Sequence, residues 1–427
     1  MASVFDYIFK QRDSETKLSL ERVKILLDLL DNPQDNLKFI HIAGTNGKGS
    51  ITTTLSNILI DSNYKVGKYI SPYVDNFFER IQINNEYIKE EEANKVLQKL
   101  IPCIEEMTDK PTSFEILAAL AFEYFYENNC DIVCLEVGMG GRFDATNCIT
   151  NTLISIISVI DYDHMEYLGN TIEEIAFEKC GIIKDGKTTI SYPLQKYSAK
   201  IMIEAMAKIR KNKFIDIDLN NLTNVEKIEF NYKFNYKNNE YILGLNGKHQ
   251  VYNALVVIEC IEELNKKGFI VTYDNLFNSI KNTRFIGRLD LINEKPFIFL
   301  DGAHNISGAN ALKEFILDNN KNKNIILITS MIKGKVYEEY FSSISNLASN
   351  IIITKITDNI KIGEDLDKLY QTIRKYNDKV QIIRNQEEAL KNAISIANPN
   401  DIIIITGSLY LVSEYYSMFK SKNLFEN

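Results

Sequence analysis

The sequence predicts an α/β protein: a P-loop parallel-sheet domain with a small β-hairpin region, followed by a smaller Rossmann-like α/β domain. Three observations predict this. Short β-branched runs alternate with helical patterns almost throughout, as in parallel sheets with crossover helices. A glycine-rich segment, GTNGKGS, follows the first apolar run. The chain has 427 residues, which is long for one hydrophobic core and indicates two domains.

Composition and charge exclude several classes of function. The chain is 45% hydrophobic and 25% charged, with 49 Lys and Arg against 57 Asp and Glu and no long basic run, so nucleic acid is a poor partner. No apolar run approaches the roughly 18 residues of a membrane span, and the N-terminus lacks a signal-peptide pattern. The six cysteines form no CxxC pair. We therefore expect a cytoplasmic monomer with reduced thiols that binds small molecules.

The first domain is predicted over residues 1–285. LKFIHIA (37–43) reads as a strand that enters the glycine loop, and the segment after Lys48 repeats apolar residues at helical spacing. KVGKYI (65–70), DIVCLEV (131–137) and LISIISVI (153–160) are further predicted strands. Capping boxes predict helices beginning at Thr112 and Thr171, the second ending near Gly181. Residues 227–245 read as a β-hairpin that turns at 237–239.

The second domain is predicted over residues 286–427. FIFLD, NIILIT, NIIIT, VQII and DIIIIT are its candidate strands, with helices between them. The boundary is placed near the polar stretch KNTRFIGRLD (281–290). From this arrangement we expect two α/β domains that face each other across a cleft.

The segment HIAGTNGKGS (41–50) fails the usual phosphate-loop rule. Gly44 stands three positions before Gly47, and Gly49 separates Lys48 from Ser50. Its place between a buried strand and an amphipathic helix still favours phosphate binding over a simple turn. The glycines let backbone amides approach an anion, Lys48 supplies positive charge, and the helix N-terminus points at the ligand.

A second polar segment is LEVGMGGRFDATN (135–147). Glu136 ends a strand that is otherwise too apolar for an unpartnered charge, and a magnesium ion would be a suitable partner. The glycines do not form a dinucleotide fingerprint, and a structural turn explains them about as well as a binding site. Arg142 and Asp144 in the same stretch favour the site.

Two other segments contain candidate residues. In VIDYDHMEYLG (159–169), Asp161, Asp163 and His164 follow an apolar strand. A lone histidine would more often be structural, but all four histidines of the chain lie in or beside strand–loop junctions or polar motifs, which favours a functional His164. Lys179 lies near the end of a predicted helix, where interaction with the helix dipole is the simplest explanation. Near the domain boundary, the residues that could meet a nucleotide's base, phosphates and ribose are Asn253, Arg288 and Asp301.

Seven segments together resemble the folylpolyglutamate synthase and dihydrofolate synthase family of Mur-type ligases. They are NPQDNLKFIHIAGTNGKGS, ISPYVDNFFERIQIN, EVGMGGRFDATN, DHMEYLGNTIEEIAFEKCGIIKDG, GRLDLI, LDGAHN and TGSLYL. They run in the family's order from about residue 33 to 411. The resemblance implies an ATP- and Mg²⁺-dependent ligase that adds L-glutamate to a folate through an acyl phosphate. Whether it also acts on dihydropteroate stays open.

The resemblance also implies roles for individual residues. ATP would be held by Gly44, Thr45, Asn46, Gly47, Lys48, Gly49, Ser50, Asn253, Arg288 and Asp301. Magnesium would be held by Ser71, Glu136 and His164, and Lys179 would be a carbamate. Catalysis would depend on Lys48, His164 and Lys179. The folate and glutamate would be bound by Lys17, Leu18, Ser19, Leu20, Thr112, Ser113, Phe114, Glu115, Phe143, Asp144, Ala145, His304, Asn305 and Ser408.

One segment departs from the family, and the sequence leaves two other functions open. The chain has ITSMIKGKVYEE (328–339) where the family often has an acidic DKD-type stretch, which puts substrate choice in question. A Mur-type ligase acting on a cell-wall nucleotide precursor would share the loop but has no reason to carry GRFDATN. A nucleotide-dependent switch would need an NKxD-type motif, and NKVL, NKKG and NKNK lack its aspartate.

Overall fold

A computed structural model describes residues 7–8, 19–357 and 362–421. The chain divides into two compact units. The first comprises Met1–Thr223, Tyr236–Asn239 and Tyr252–Thr283, and the second comprises Asn224–Asn235, Glu240–Val251 and Arg284–Asn427. No helix within the described residues is long and apolar enough to cross a membrane.

The first unit is built on an eight-stranded sheet. Its strands are β1 (Phe39–Ala43), β2 (Val66–Tyr69), β3 (Ile81–Ile83), β4 (Glu86–Tyr87), β5 (Ile132–Glu136), β6 (Thr152–Ile157), β7 (Thr188–Ser191) and β8 (Lys213–Asp216). Their order is β4-β3-β2-β5-β1-β6-β7-β8. In this order, the neighbouring strands from β2 across to β8 are parallel. Strand β3 pairs antiparallel with both β2 and β4. The carboxyl ends of β2, β5, β1 and β6 therefore lie at one edge.

Helices connect these strands. They are α1 (Glu21–Asp28), α2 (Lys48–Asp61), α3 (Glu90–Glu106), α4 (Ser113–Glu127), α5 (Met165–Leu168), α6 (Ile172–Cys180), α7 (Tyr197–Ile209), α8 (His249–Lys266) and α9 (Tyr273–Asn282). The capping boxes predicted at Thr112 and Thr171 are both present. Gly181 is the C-cap of α6, as predicted. The central strands β1 and β5 are buried at every position, as strands covered on both faces must be.

The segment predicted as a hairpin belongs to a larger element. Strands β9 (Leu222–Ile228), β10 (Asn231–Tyr236) and β11 (Asn239–Ile242) form a three-stranded sheet in the order β11-β10-β9. The hairpin of β10 and β11 turns at Lys237 and Asn238, whose φ angles of +48° and +67° are those of a tight two-residue turn. The prediction missed β9, because its polar sequence, LTNVEKI, leaves it largely exposed.

The second unit contains a six-stranded sheet. Its strands are β12 (Asp290–Glu294), β13 (Phe297–Asp301), β14 (Ile325–Thr329), β15 (Asn350–Ile353), β16 (Val380–Ile382) and β17 (Ile402–Thr406), in the order β12-β13-β17-β14-β15-β16. All neighbours are parallel except β12, which pairs antiparallel with β13. The helices are α10 (Ile306–Asn319), α11 (Glu338–Ile344), α12 (Leu366–Arg374), α13 (Gln386–Ile396) and α14 (Leu409–Ser421).

The fold class predicted from the sequence is confirmed: a parallel-sheet domain precedes a second, smaller α/β domain. All five strands predicted for the second domain are present. One predicted strand is too long, because LISIISVI (153–160) ends as a strand at Ile157. The residues after Ile157 turn to meet the glycine loop instead, which places them at the candidate site.

Candidate active site

The glycine loop lies between β1 and α2. Gly44 and Gly47 have φ angles of +153° and +84°, which favour glycine. A Cβ at Gly44 would stand 1.8 Å from Ser158 Oγ, and one at Gly47 would stand 2.8 Å from Asn253 Oδ1. Both positions therefore exclude side chains. The loop leads directly to the N-terminus of α2, where backbone N–H groups attract anions.

The loop is held by the segment that follows β6. Thr45 N donates to Val159 O at 2.8 Å, and Thr45 Oγ1 donates to Asp161 O at 2.9 Å. Ser158 Oγ donates to Asn46 O at 2.8 Å. The sequence singles out Asp161 only as part of a polar segment. The structure brings its backbone against the loop.

Two lysines converge on one carbonyl oxygen of the loop. Lys48 Nζ, in the first turn of α2, donates to Gly44 O at 3.1 Å and to Thr45 O at 3.2 Å. Lys179 Nζ, near the end of α6, donates to the same Gly44 O at 2.9 Å. The Lys179 side chain is buried. Burial, and after it the charge of Lys48, lowers the pKa of Lys179 to about 7, so much of its amine is uncharged at neutral pH.

Glu136 is the last residue of β5, beside the strand that leads into the loop. It pairs in register with Ile42 of β1 and is buried. Its Oε2 accepts a hydrogen bond from Ser71 N at 3.3 Å. Ser71 follows β2, the other neighbour of β5. The predicted carboxylate therefore lies beside the Ser71 backbone, and a carboxylate oxygen suits Mg²⁺.

His164 is the N-cap of α5 and has a φ of +50°. Its side chain is 41% exposed, and Nε2 lies 3.9 Å from Asp163 Oδ1. Within the described parts of the chain, no group of three or more His, Cys, Asp or Glu side chains could hold a metal ion. The predicted set of Ser71, Glu136 and His164 contains only two such side chains and stays a prediction.

Asp144 lies in the glycine-rich loop after β5 and is buried. Its Oδ2 accepts from Met139 N at 2.9 Å, and its Oδ1 accepts from Thr146 N at 3.0 Å. Burial raises the pKa of Asp144, an effect that these donors oppose. A Cβ at Gly138 would stand 3.2 Å from Asp144 Oδ2 and 2.5 Å from Phe114 Cζ. The structure thus places an aromatic ring and a carboxylate around one glycine.

The neighbouring residues of this loop are also fixed. The Arg142 guanidinium lies 4.3 Å from the Phe143 ring centroid and 2.7 Å from Glu178 Oε1. Ala145 is buried. The loop that carries Phe143, Asp144 and Ala145 is thereby attached to α6, the helix that contains Lys179.

Thr112, Ser113, Phe114 and Glu115 begin α4. Thr112 N donates to Glu115 Oε2 at 2.6 Å within the capping box. Both oxygens of Glu115 also accept from Arg22 at 3.0 Å, and both side chains are buried. The sequence prediction missed Arg22, although a buried carboxylate requires a cationic or hydrogen-bonding partner. The geometry gives Glu115 a structural contact, and its part in substrate binding stays a prediction.

The predicted substrate segment 17–20 is only partly described. Ser19 Oγ accepts from Glu21 N at 3.1 Å, and Leu20 is the N-cap of α1. Lys17 and Leu18 lie outside the described residues.

In the second unit, Asp301 is the last residue of β13 and is buried. Its Oδ1 accepts from Ala303 N and its Oδ2 from Leu289 N, both at 3.1 Å. Burial raises the pKa of Asp301, and the positive charge of Arg288 acts in the opposite direction. Arg288 and Asp301, predicted from separate motifs, are thus brought together.

The remaining predicted residues follow β13 and its parallel neighbour β17. His304 Nδ1 lies 2.8 Å from Gly302 O, and Asn305 is the N-cap of α10. Ser408 Oγ accepts from Tyr410 N at 3.2 Å where α14 begins. Because both strands end at the same edge of the sheet, these side chains share that edge with Asp301.

Two families of known protein domains match the chain. Residues 42–261 match the Mur ligase middle domain, and residues 287–409 match the Mur ligase glutamate ligase domain. The chain is 33% identical over 417 residues to the dihydrofolate synthase/folylpolyglutamate synthase of Bacillus subtilis, covering 95% of each chain. It is 29% identical to the dihydrofolate synthetase of Saccharomyces cerevisiae, covering 95% of this chain and 98% of the relative.

Two solved structures have the same fold. The folylpolyglutamate synthase of Thermotoga maritima matches with a TM-score of 0.82 and 32% identity, covering 98% of this chain and 96% of that one. Escherichia coli FolC in complex with DHPP and ADP matches with a TM-score of 0.87 over 99% of each chain, at 22% identity. The chain therefore belongs to the dihydrofolate synthase/folylpolyglutamate synthase family of Mur ligases, as its sequence motifs predicted.

Proposed function

We propose that this chain is an ATP-dependent ligase that joins the amine of L-glutamate to a carboxylate of tetrahydrofolate or of dihydropteroate. One observation carries the proposal beyond family membership: Lys48 and Lys179 both donate to Gly44 O in the glycine loop. This arrangement places the Lys48 ammonium and the lowered-pKa amine of Lys179 where the N-terminus of α2 favours a phosphate. We assign residues 1–285 to an ATP-binding domain and residues 286–427 to a glutamate-ligase domain that also contributes nucleotide contacts.

Amide formation from a carboxylate requires activation of the acid. A carboxylate oxygen of the folate attacks the γ-phosphorus of ATP, the bond to the β–γ bridging oxygen breaks, and ADP leaves. The glutamate amine then attacks the acyl carbon, phosphate leaves, and the amine loses a proton to solvent. No protein nucleophile is needed, so catalysis depends on positioning and on charge stabilisation by Lys48 and the loop amides.

We place magnesium at Ser71, Glu136 and His164. The fit rests on the buried Glu136 carboxylate, whose Oε2 accepts from Ser71 N at the end of a central strand. Bound there, Mg²⁺ would offset the negative charge that develops during phosphoryl transfer. His164, which is partly exposed, would complete the set from the segment after β6.

We assign Lys179 as the site of a carbamate. Only an uncharged amine adds to CO₂, and the pKa of about 7 keeps much of Lys179 in that form at neutral pH. The product is an anion in place of a cation, and it would lie beside Lys48. Such a group could help to hold a second cation near the phosphates.

The other predicted residues divide between substrates. Asn253, Arg288 and Asp301 are proposed as contacts of the nucleotide, and Asn253 already adjoins Gly47. The folate is assigned to the predicted residues of segments 17–20, 112–115 and 143–145. Glutamate is assigned to His304, Asn305 and Ser408. For the protein as a whole we propose a cytoplasmic monomer, which size-exclusion chromatography with light scattering would test.

The decisive experiment is ADP release with tetrahydrofolate or dihydropteroate, each with and without L-glutamate. Release that requires both a folate-type acid and glutamate supports the proposal. The pattern across the two acids decides whether both are substrates. Release with a cell-wall nucleotide precursor, and with neither folate nor dihydropteroate, would overturn it in favour of another Mur-type ligase.

A further inference from the structure

A row of buried side chains connects β1 to the glycine-rich loop. His41, in the centre of β1, is fully buried, and its Nε2 lies 2.9 Å from Thr146 Oγ1. Thr146 Oγ1 in turn donates to Asp144 Oδ1 in a short hydrogen bond. Thr146 is also fully buried. None of the roles proposed for ATP, magnesium, folate or glutamate binding uses His41 or Thr146.

The direction of these hydrogen bonds follows from the number of protons available. Thr146 has one hydroxyl proton, and both oxygens of Asp144 accept backbone N–H groups, from Met139 and Thr146, which is the pattern of an ionised carboxylate that can only accept. The hydroxyl therefore donates to Asp144 Oδ1 and must accept from His41. His41 then carries its proton on Nε2, which agrees with His41 Nδ1 having no hydrogen-bond partner: a buried acceptor without a partner costs less than a buried N–H without one. Burial lowers the pKa of His41 well below its ordinary value, so the ring is neutral.

Asp144 is the polar part of an arrangement that suits a flat heterocycle. Its Oδ2 and the Phe114 ring flank Gly138, where a side chain would collide with Phe114. Because Oδ1 already accepts from Thr146 N and Thr146 Oγ1, Oδ2 is the oxygen that faces an N–H group of such a ring, and the aromatic side chain can pack against the ring's edge or face. A directed hydrogen bond to Oδ2 requires the carboxylate to keep one orientation.

We propose that His41 is a positioning residue for the folate-side substrate: through Thr146 it fixes the orientation of the Asp144 carboxylate that receives the pterin ring. The ring nitrogen of His41 holds the Thr146 hydroxyl, and the hydroxyl and backbone N–H of Thr146 together hold Asp144 Oδ1. His41 lies on the strand that continues into Gly44. The orientation of the carboxylate is thereby set from the same strand that positions the phosphate loop.

The inference rests on the proposed function, and steady-state kinetics with the full-length enzyme separates the two. The measured quantities are the KM for tetrahydrofolate, the KM for ATP, and kcat. Thr146→Val keeps the shape of the side chain and removes the hydroxyl. We expect it to raise the KM for tetrahydrofolate about tenfold, as for loss of one hydrogen bond to a charged group, with the KM for ATP and kcat within about twofold.

Two conservative variants test whether the hydrogen-bonding groups alone are sufficient. Thr146→Ser keeps the hydroxyl, and His41→Gln keeps an N–H donor near the position of Nε2, so both are expected to stay close to the parent enzyme. His41→Leu removes the donor and should resemble Thr146→Val. If His41→Leu does not fold, Thr146→Val alone carries the test. Thr152→Val is the matched control, because Thr152 is a buried threonine whose hydroxyl has no partner.

The outcomes distinguish the proposed function from the role of His41. An unchanged tetrahydrofolate KM in Asp144→Asn would overturn the role of Asp144 and with it that part of the proposed function. A raised KM in Asp144→Asn together with an unchanged KM in Thr146→Val would overturn only the role of His41 and Thr146. Equal rises in the KM for tetrahydrofolate and ATP in Thr146→Val would also overturn it, as would a rise of the same size in Thr152→Val.

Discussion

The two sheets present different polar groups at their carboxyl edges. At the edge of the first sheet, the Nζ atoms of Lys48 and Lys179 lie against the carbonyl of Gly44, and the Lys179 side chain is buried. At the edge of the second sheet, the carboxylate of Asp301 accepts two backbone N–H groups, and Asn305 caps its own helix. The first edge presents lysine side chains that suit phosphate chemistry, whereas the second presents polar side chains whose hydrogen bonds fix the local backbone.

This difference predicts where substitutions act. Changes at the first edge should remove chemistry and leave the fold intact, or even stabilise it. Changes at the second edge should weaken both substrate binding and the local structure.

Lys48→Ala is expected to abolish ligation. Its ammonium is the cation in the first turn of α2, and removal of one group that stabilises transition-state charge costs about 10²–10³-fold or more in kcat. ADP release measures the loss, and circular dichroism checks the fold. A folded Lys48→Ala enzyme with normal ADP release would show that the first edge does not depend on this cation.

Lys179→Ala should lower kcat by about 10²-fold, with partial recovery on addition of acetate or formate. The recovery is expected because a small carboxylate can occupy the space of the proposed carbamate. Native mass spectrometry of the parent enzyme should show one added CO₂ that is lost in the variant. Absence of both the recovery and the added mass would leave Lys179 as a plain amine.

Glu136→Ala should raise the magnesium concentration needed for half-maximal activity by about tenfold, since a ligating carboxylate is lost. A magnesium titration at saturating ATP measures this shift. Glu123→Ala is a control, because Glu123 is a buried carboxylate that pairs with Lys99 on another part of the first unit. A titration unchanged by Glu136→Ala would remove this residue from the metal site.

Asp301→Asn tests the second edge. The amide can replace only one of the two acceptor oxygens, so one backbone N–H loses its partner at a cost of about 1–3 kcal/mol in the free energy of unfolding. The KM for ATP should rise severalfold in the same variant. Chemical denaturation and kinetics measure the two effects. A raised KM for ATP with an unchanged free energy of unfolding would contradict this expectation, because Asp301 would then affect substrate binding alone, as is expected of residues at the first edge.

Lys179→Met should be more stable than the parent enzyme in CO₂-free buffer at pH 6. The pKa of Lys179 is about 7 in the folded state, below its ordinary value of 10.5, so the unfolded chain binds the proton more tightly. The cost of burying the charge is complete below pH 7 and disappears as pH rises toward 10.5. The melting temperatures of Lys179→Met and the parent enzyme should therefore converge at high pH. A stability advantage of Lys179→Met that grows with pH would contradict a lowered pKa of Lys179.

Much of this contrast could be predicted from the sequence. Buried parallel strands are apolar throughout, which makes β1, β5, β13 and β17 evident, and polar residues that follow such strands must lie at the carboxyl edge. The capping boxes of α4 and α6 depend only on local spacing. These local signals are sufficient to place Glu136, Lys179 and Asp301 at strand or helix ends.

Other features could not be predicted, because they depend on contacts between distant segments. The pair of Arg22 and Glu115 joins residues 93 positions apart. The contact of His41 with Thr146 spans 105 positions. The short strand β7 and the exposed strand β8 have mixed sequences that gain their structure from pairing with β6 and with each other.

The loop after β5 that carries Asp144 and the C-terminal end of α6 are in close contact at two glycines, Gly141 and Gly181. A Cβ at Gly141 would stand 2.7 Å from Lys179 O, and one at Gly181 would stand 2.3 Å from Arg142 Cα. With no space for even a methyl group on either side, neither segment can shift without displacing the other. The loop that carries Asp144 and the helix that carries Lys179 are therefore expected to move together, so a displacement of one would be transmitted to the other through backbone contacts.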